Sequence, residues 1–148
     1  MKIPPIVQIL AAGTLAWGAS QYVPAWKFGG APVLILSVVF ALAGAGFLTV
    51  ALNIFSNHDT TFDPLDPSRA QNLVVTGVYR FTRNPMYLGM VLLLLAWCLY
   101  LGDVVAFLSI PIFVLAMNEL QIRAEETALL NNFGEEYAQY RMRVRRWI

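Results

Sequence analysis

Four long apolar runs alternate with two polar blocks along the chain. The runs cover about 4–24, 31–55, 86–101 and 104–118, and the second, "APVLILSVVFALAGAGFLTVALNIF", holds no charge. A perpendicular membrane span takes ~20 residues, with a range of ~17–25. The last two runs are shorter than that and only Gly102-Asp103 separates them. They are expected to form a tight helical hairpin whose second arm continues past the membrane. The first run follows Met1-Lys2, a weak basic start, but it is long and no small-x-small cleavage site ends it. It is expected to be retained as a span.

The polar blocks are the loop 56–85 and the tail from Glu119 onward. With four spans, both share one side with the N-terminus. That side carries Lys2, Arg69, Arg80, Arg83, Arg123, Arg141, Arg143, Arg145 and Arg146, and the other carries Lys27 alone. The asymmetry satisfies the positive-inside rule and predicts cytoplasmic termini. The expected fold is all-α and integral to the membrane. A single domain over 1–148 would comprise a four-helix base and a small cytoplasmic cap built from the loop and the tail.

Composition agrees. The chain is 58% hydrophobic and 13% charged, with mean hydropathy +0.60, where soluble domains carry about 25% charged residues. A net charge of +1 gives no concentrated basic face for nucleic acid. The lone Cys98 lies in an apolar run and reads as a packing residue. Ala41, Gly44, Ala45 and Gly46 would let helices approach closely. Pro111 falls inside the fourth run, where it should kink the helix.

No metal site is expected. His58 is the only histidine, and Asp59, Asp63 and Asp66 lack calcium-loop spacing. Ser56, Ser68 and Ser109 have no nucleophile-elbow context, and a GxGxxG motif is missing. In "RNPMY", Asn84 can cap a helix and Pro85 suits its first position. A helix start also favours a carboxylate or phosphate, and Arg80 and Arg83 stand beside it, either as lipid anchors or as part of a site. Glu119, Arg123 and Glu126 have helical ion-pair spacing. Either they form a surface face, or a carboxylate of the Glu125-Glu126 pair turns toward the arginine-bearing loop. Glu135 and Glu136 read as solvated. The tail "YAQYRMRVRRWI" can anchor at the interface or close the cap over a ligand.

"LVVTGVYRFTRNPMYLG", then a hydrophobic hairpin, then "RAEETALLNNFGEEYAQYRMRVRRWI" resembles the isoprenylcysteine carboxyl methyltransferase family, including its short prokaryotic relatives. The resemblance covers about 55–148 and implies a membrane enzyme that uses S-adenosylmethionine, with the cofactor region at about 69–148. It assigns the cofactor to Gln71, Asn72, Leu73, Val74 and Tyr79, to Arg83, Asn84, Pro85, Met86 and Tyr87 with Leu88 and Gly89 behind them, and to Glu125 and Glu126. It makes Arg123 the arginine beside a reacting carboxylate. Asn84 stands where eukaryotic members have histidine, so a histidine-dependent proton transfer is not available here.

The implied reaction is methyl transfer to a lipophilic acceptor, such as the carboxylate of a prenylated cysteine, with membrane lipids as the surroundings. The alternatives are methylation of a phospholipid amine or a small thiol, and a non-catalytic scaffold on the same fold. Scarce intramembrane charge argues against transport.

Overall fold

The computed structural model describes residues 3–23, 26–56 and 72–148. The chain is helical: α1 (Pro5–Tyr22), α2 (Ala31–Ser56), a 3-10 turn (Gly77–Arg80), α3 (Pro85–Leu101), a second 3-10 turn (Val104–Leu108), α4 (Ser109–Met117), a π-helical turn (Asn118–Ile122) and α5 (Arg123–Arg143). Among the described residues there is no strand, only an isolated bridge between Lys27 and Asp103.

Among the described residues, two helical stretches are long and apolar enough to cross a membrane: Ala31–Ile54 and Val104–Arg143. Pro85–Leu101 is apolar but shorter. Outward faces are greasy. Leu10 and Trp17 on α1, and Leu34, Ile35 and Leu42 on α2, are exposed. In water such faces would be a large liability; in lipid they cost nothing.

The helices are joined where their backbones come close. The Ser37 hydroxyl donates to the Ala96 carbonyl at 2.8 Å, tying α2 to α3. The Trp97 indole donates to the Gly13 carbonyl at 3.1 Å, tying α3 to α1. Gly44 and Gly89 sit face to face. A Cβ on Gly44 would lie 2.8 Å from the Gly89 carbonyl oxygen, and one on Gly89 would lie 2.9 Å from that of Gly44. Of the small residues in the second run, Gly44 makes the helix contact, whereas Ala45 and Gly46 are exposed. The core centres on Ala12, Ala16, Tyr87, Leu94, Cys98, Ala106, Phe113, Met117 and Ile122.

The fourth run is less regular than a single span. It begins as a 3-10 turn capped by Asp103, whose carboxylate accepts from the Val105 N–H at 3.0 Å. An α-helix starts afresh at Ser109. Pro111 therefore lies in a first helical turn, where its missing N–H is not needed, rather than at a mid-span kink. The π-turn then passes directly into α5.

At the end of the molecule away from the tail, the α1–α2 and α3–α4 connections pair. Phe28 N–H donates to Gly102 O at 2.8 Å, and Val104 N–H donates to Trp26 O at 3.1 Å.

Replacing Gly89 or Gly44 by alanine should force α2 and α3 apart at a cost of about 1–3 kcal/mol. Thermal unfolding of the purified protein should show a clear drop for either variant. Gly46→Ala, which meets nothing within 4 Å, should leave the transition unchanged.

Candidate active site

The polar residues at the start of α3 gather around one cavity, of about 670 Å³ including its open mouth. Asn84 and Pro85 start the helix as the sequence suggests, with Pro85 at its first position. The Asn84 side chain, however, makes no cap. Its amide donates to the Arg146 carbonyl at 2.9 Å, and the Thr82 hydroxyl reaches the same oxygen at 3.3 Å. Arg83 N–H donates to Arg145 O at 3.0 Å. Three successive residues thus hold the tail, and the first turn of α3 is left without a capping side chain.

The tail reaches this loop because α5 breaks. Gly134 has φ 49° and ψ −119°, well outside helical values. Twenty residues of straight helix would span ~30 Å. Arg146 nevertheless bonds Glu126 twice, through Nε at 3.0 Å and Nη2 at 2.6 Å. Only a chain that turns back can make that contact. A positive φ is tolerated best by glycine.

Glu126 also pairs with Arg83 Nη1 at 2.9 Å, and the two side chains are nearly buried, at 11% and 12% exposed. Hydrogen bonding to Glu126 holds the Arg146 guanidinium above its ordinary range, against a smaller opposing effect of burial. Its neighbour Glu125 turns elsewhere. Its Oε1 accepts from the Tyr87 hydroxyl at 2.5 Å and from the Gln121 amide at 2.6 Å. The π-turn buries Gln121 just ahead of this carboxylate; π-turns are frequent at functional sites.

Loop residues Asn72, Leu73 and Val74 line the cavity, with Tyr79, Arg83, Asn84, Pro85, Met86, Tyr87, Glu125 and Glu126. Val74 and Tyr79 pack with Ala51 of α2, which fixes the loop on the helical base. Burial raises the Tyr79 phenol above its usual range, helped by Tyr140 and the Glu125 charge, so it stays protonated. Arg83 Nε is buried with no hydrogen-bond partner.

Gln71 lies outside the described residues. Gly89 is not at the cavity; it faces Gly44 and packs α3 on α2. Arg123 is not at the cavity either. It forms an exposed pair with Glu119 one turn away, its side chain 64% exposed. The local i,i+4 partner captures it, while Glu126 is met by Arg83 and Arg146. Glu135 and Glu136 are exposed. Three lining residues were not assigned from the sequence: Leu129, Tyr137 and Tyr140. The two tyrosines stood as interfacial anchors or as a closure of the cap. Their spacing of three, shared with buried positions, was the available signal.

The sequence profile of the phospholipid methyltransferase family matches residues 29–136. The chain belongs to that family. This places it among membrane methyltransferases. An uncharacterised protein of Haemophilus influenzae is 51% identical over 63 residues, which is 43% of this chain and 100% of that one. The protein-S-isoprenylcysteine O-methyltransferase of Schizosaccharomyces pombe is 33% identical over 72 residues, 49% of this chain but only 30% of that enzyme. No solved structure matches.

Removing either end of the Glu126–Arg146 contact should loosen the tail. Glu126→Gln and Arg146→Ala should each make residues beyond 143 more sensitive to limited proteolysis. The double variant should be no worse than the more severe single one, because the two groups act as one unit.

Proposed function

We propose that this cavity binds S-adenosylmethionine and that the protein transfers a methyl group to a lipophilic acceptor at the membrane. The observation that most supports the reading is the convergence of three separated segments on one cavity. These are loop 72–74, the first turn of α3, and Glu125-Glu126. They are the segments to which the isoprenylcysteine methyltransferase resemblance assigns the cofactor.

The donor set suits that ligand. The uncapped start of α3 offers backbone N–H groups and a partial positive charge to a carboxylate. The buried Nε of Arg83 is a further donor beside it. Glu125 can accept from an ammonium or a ribose hydroxyl. When bound, the cofactor supplies a methyl group on a positively charged sulfur. The protein's share is then to align the acceptor and exclude water, and alignment alone is worth up to ~7–11 kcal/mol.

A carboxylate or thiolate acceptor needs no base. A carboxylate does need a cation to hold it, and Arg83, Arg146 and Arg123 already have carboxylate partners, Glu126 shared by the first two and Glu119 for the third. This favours keeping a phospholipid amine as a second reading. Tyr87 and Glu125, joined at 2.5 Å, are then the groups through which the amine proton would leave.

The four-span topology with cytoplasmic termini goes with this proposal. It is supported by the pairing of the α1–α2 and α3–α4 connections at one end, beside Lys27, with the arginine-rich tail and loop together at the other.

Calorimetric titration of the detergent-purified protein with S-adenosylhomocysteine should show saturable one-to-one binding. Glu125→Gln should weaken it about tenfold or more, the loss expected for a charged hydrogen bond. Glu135→Gln should change it less than about twofold, as for a remote surface substitution. A folded sample that binds nothing at millimolar ligand overturns the reading. Equal losses in the two variants overturn this placement of the site.

A further inference from the structure

Four of the chain's six tyrosines line this one cavity: Tyr79, Tyr87, Tyr137 and Tyr140. All four are buried. A wall meant only to be polar would leave hydroxyls facing the ligand. Here three of the hydroxyls are tied into the protein. Tyr87 donates to Glu125, Tyr140 donates to the Tyr79 carbonyl at 2.7 Å, and Tyr137 accepts from Arg83 at 3.4 Å. What Tyr137 and Tyr140 offer the cavity is therefore their rings. The two rings stand 6.1 Å apart at 53° and form a corner rather than a flat surface.

Ring surfaces attract cations and give neutral groups of the same shape no such gain. The effect is largest where water is excluded, and these side chains are 1% and 5% exposed. A nearby free cation would cancel it. Among the lining residues the one guanidinium, Arg83, stands against two carboxylates, Glu125 and Glu126, the second of which it shares with Arg146. Both tyrosines follow Gly134 in the folded-back part of α5. They are brought into the site by the break at that glycine.

We propose that the Tyr137–Tyr140 corner is a specificity element for a cationic ligand, making the cavity prefer the sulfonium form of the cofactor over the neutral sulfide left after methyl transfer. The proposal rests on the cofactor reading above. A corner of this kind favours loading with the methyl donor and release of the product, since the charge that the rings attract disappears in the reaction. It also explains why the tail is fastened so firmly to loop 82–84: the corner is in place only while the fold-back holds.

The test is a comparison of dissociation constants for S-adenosylmethionine and S-adenosylhomocysteine, measured on the same folded samples. The unmodified protein should bind the sulfonium more tightly. In Tyr140→Leu and in Tyr137→Leu that preference should fall about tenfold, whereas the corresponding phenylalanine variants should keep it, because the ring remains. Taking the ratio within each variant removes general damage to the cavity. The proposal is overturned if the unmodified protein binds both ligands equally, a result that needs no variant to fold. It is also overturned if the leucine and phenylalanine variants share one ratio. Binding of both ligands with no preference leaves the cofactor reading intact, and binding of neither ends that reading instead.

Discussion

Glu126 receives three hydrogen bonds from two arginines that come from opposite directions, Arg83 from the loop before α3 and Arg146 from the tail. Its side chain is only 12% exposed. Burying a carboxylate to this degree costs several kcal/mol unless partners satisfy both oxygens. Here Oε1 has two partners and Oε2 has one. The consequence is mutual dependence among three segments. The loop cannot relax without stranding Glu126. The tail cannot leave without exposing a guanidinium's partner. The start of α5 cannot rotate without losing both. The cavity wall is the inner surface of this arrangement, so its shape is set by an ion-pair triad rather than by apolar packing alone.

Much of the helical framework was legible because apolarity is a local property. Runs at 4–24, 31–55 and 86–101 became helices at Pro5–Tyr22, Ala31–Ser56 and Pro85–Leu101. Asn84-Pro85 marked a helix start because proline's fixed φ acts within its own residue. Other features were decided by neighbours distant in sequence. The side chain of Asn84 was read as a cap, but a carbonyl 62 residues away offered it a better use. Arg123 was assigned to the reacting centre, yet Glu119 lay one turn away and reached it first. Gly89 was grouped with its motif, whereas its missing side chain serves the contact with Gly44. The break at Gly134 was hidden for another reason. A glycine within a polar stretch is compatible with a helix, a cap or a reversal, and only the partners of Arg146 decide among them. Without that reversal Tyr137 and Tyr140 look like interfacial anchors.

Membership of the phospholipid methyltransferase family and the cavity's position support each other physically. Methyl transfer from a sulfonium asks little of a protein beyond holding two reactants in line and dry. A cap this small can do that if its wall is rigid, and the base beneath it is rigid where it matters. Gly44 and Gly89 lock α2 to α3 two residues beyond Tyr87, and Val74 with Tyr79 anchors the loop on Ala51. The cavity's lining residues therefore stand on a closely packed part of the molecule, while the outward faces of α1 and α2 are apolar and exposed.

The bonds that close the cavity join residues far apart in the chain. Tyr87 meets Glu125 across 38 positions, Tyr79 meets Tyr140 across 61, and Asn84 meets Arg146 across 62. Each such contact closes a long loop, and the entropy of closure must be met before the contact returns anything. Helix pairing in the base closes loops just as long, Ser37 with Ala96 across 59 positions and Gly13 with Trp97 across 84, so base and binding surface both rest on contacts distant in sequence. A molecule that binds the finished cavity and not the open chain would stabilise the whole arrangement by mass action. In a cell, the supply of that molecule would govern how much of the protein stands assembled as well as how fast it works.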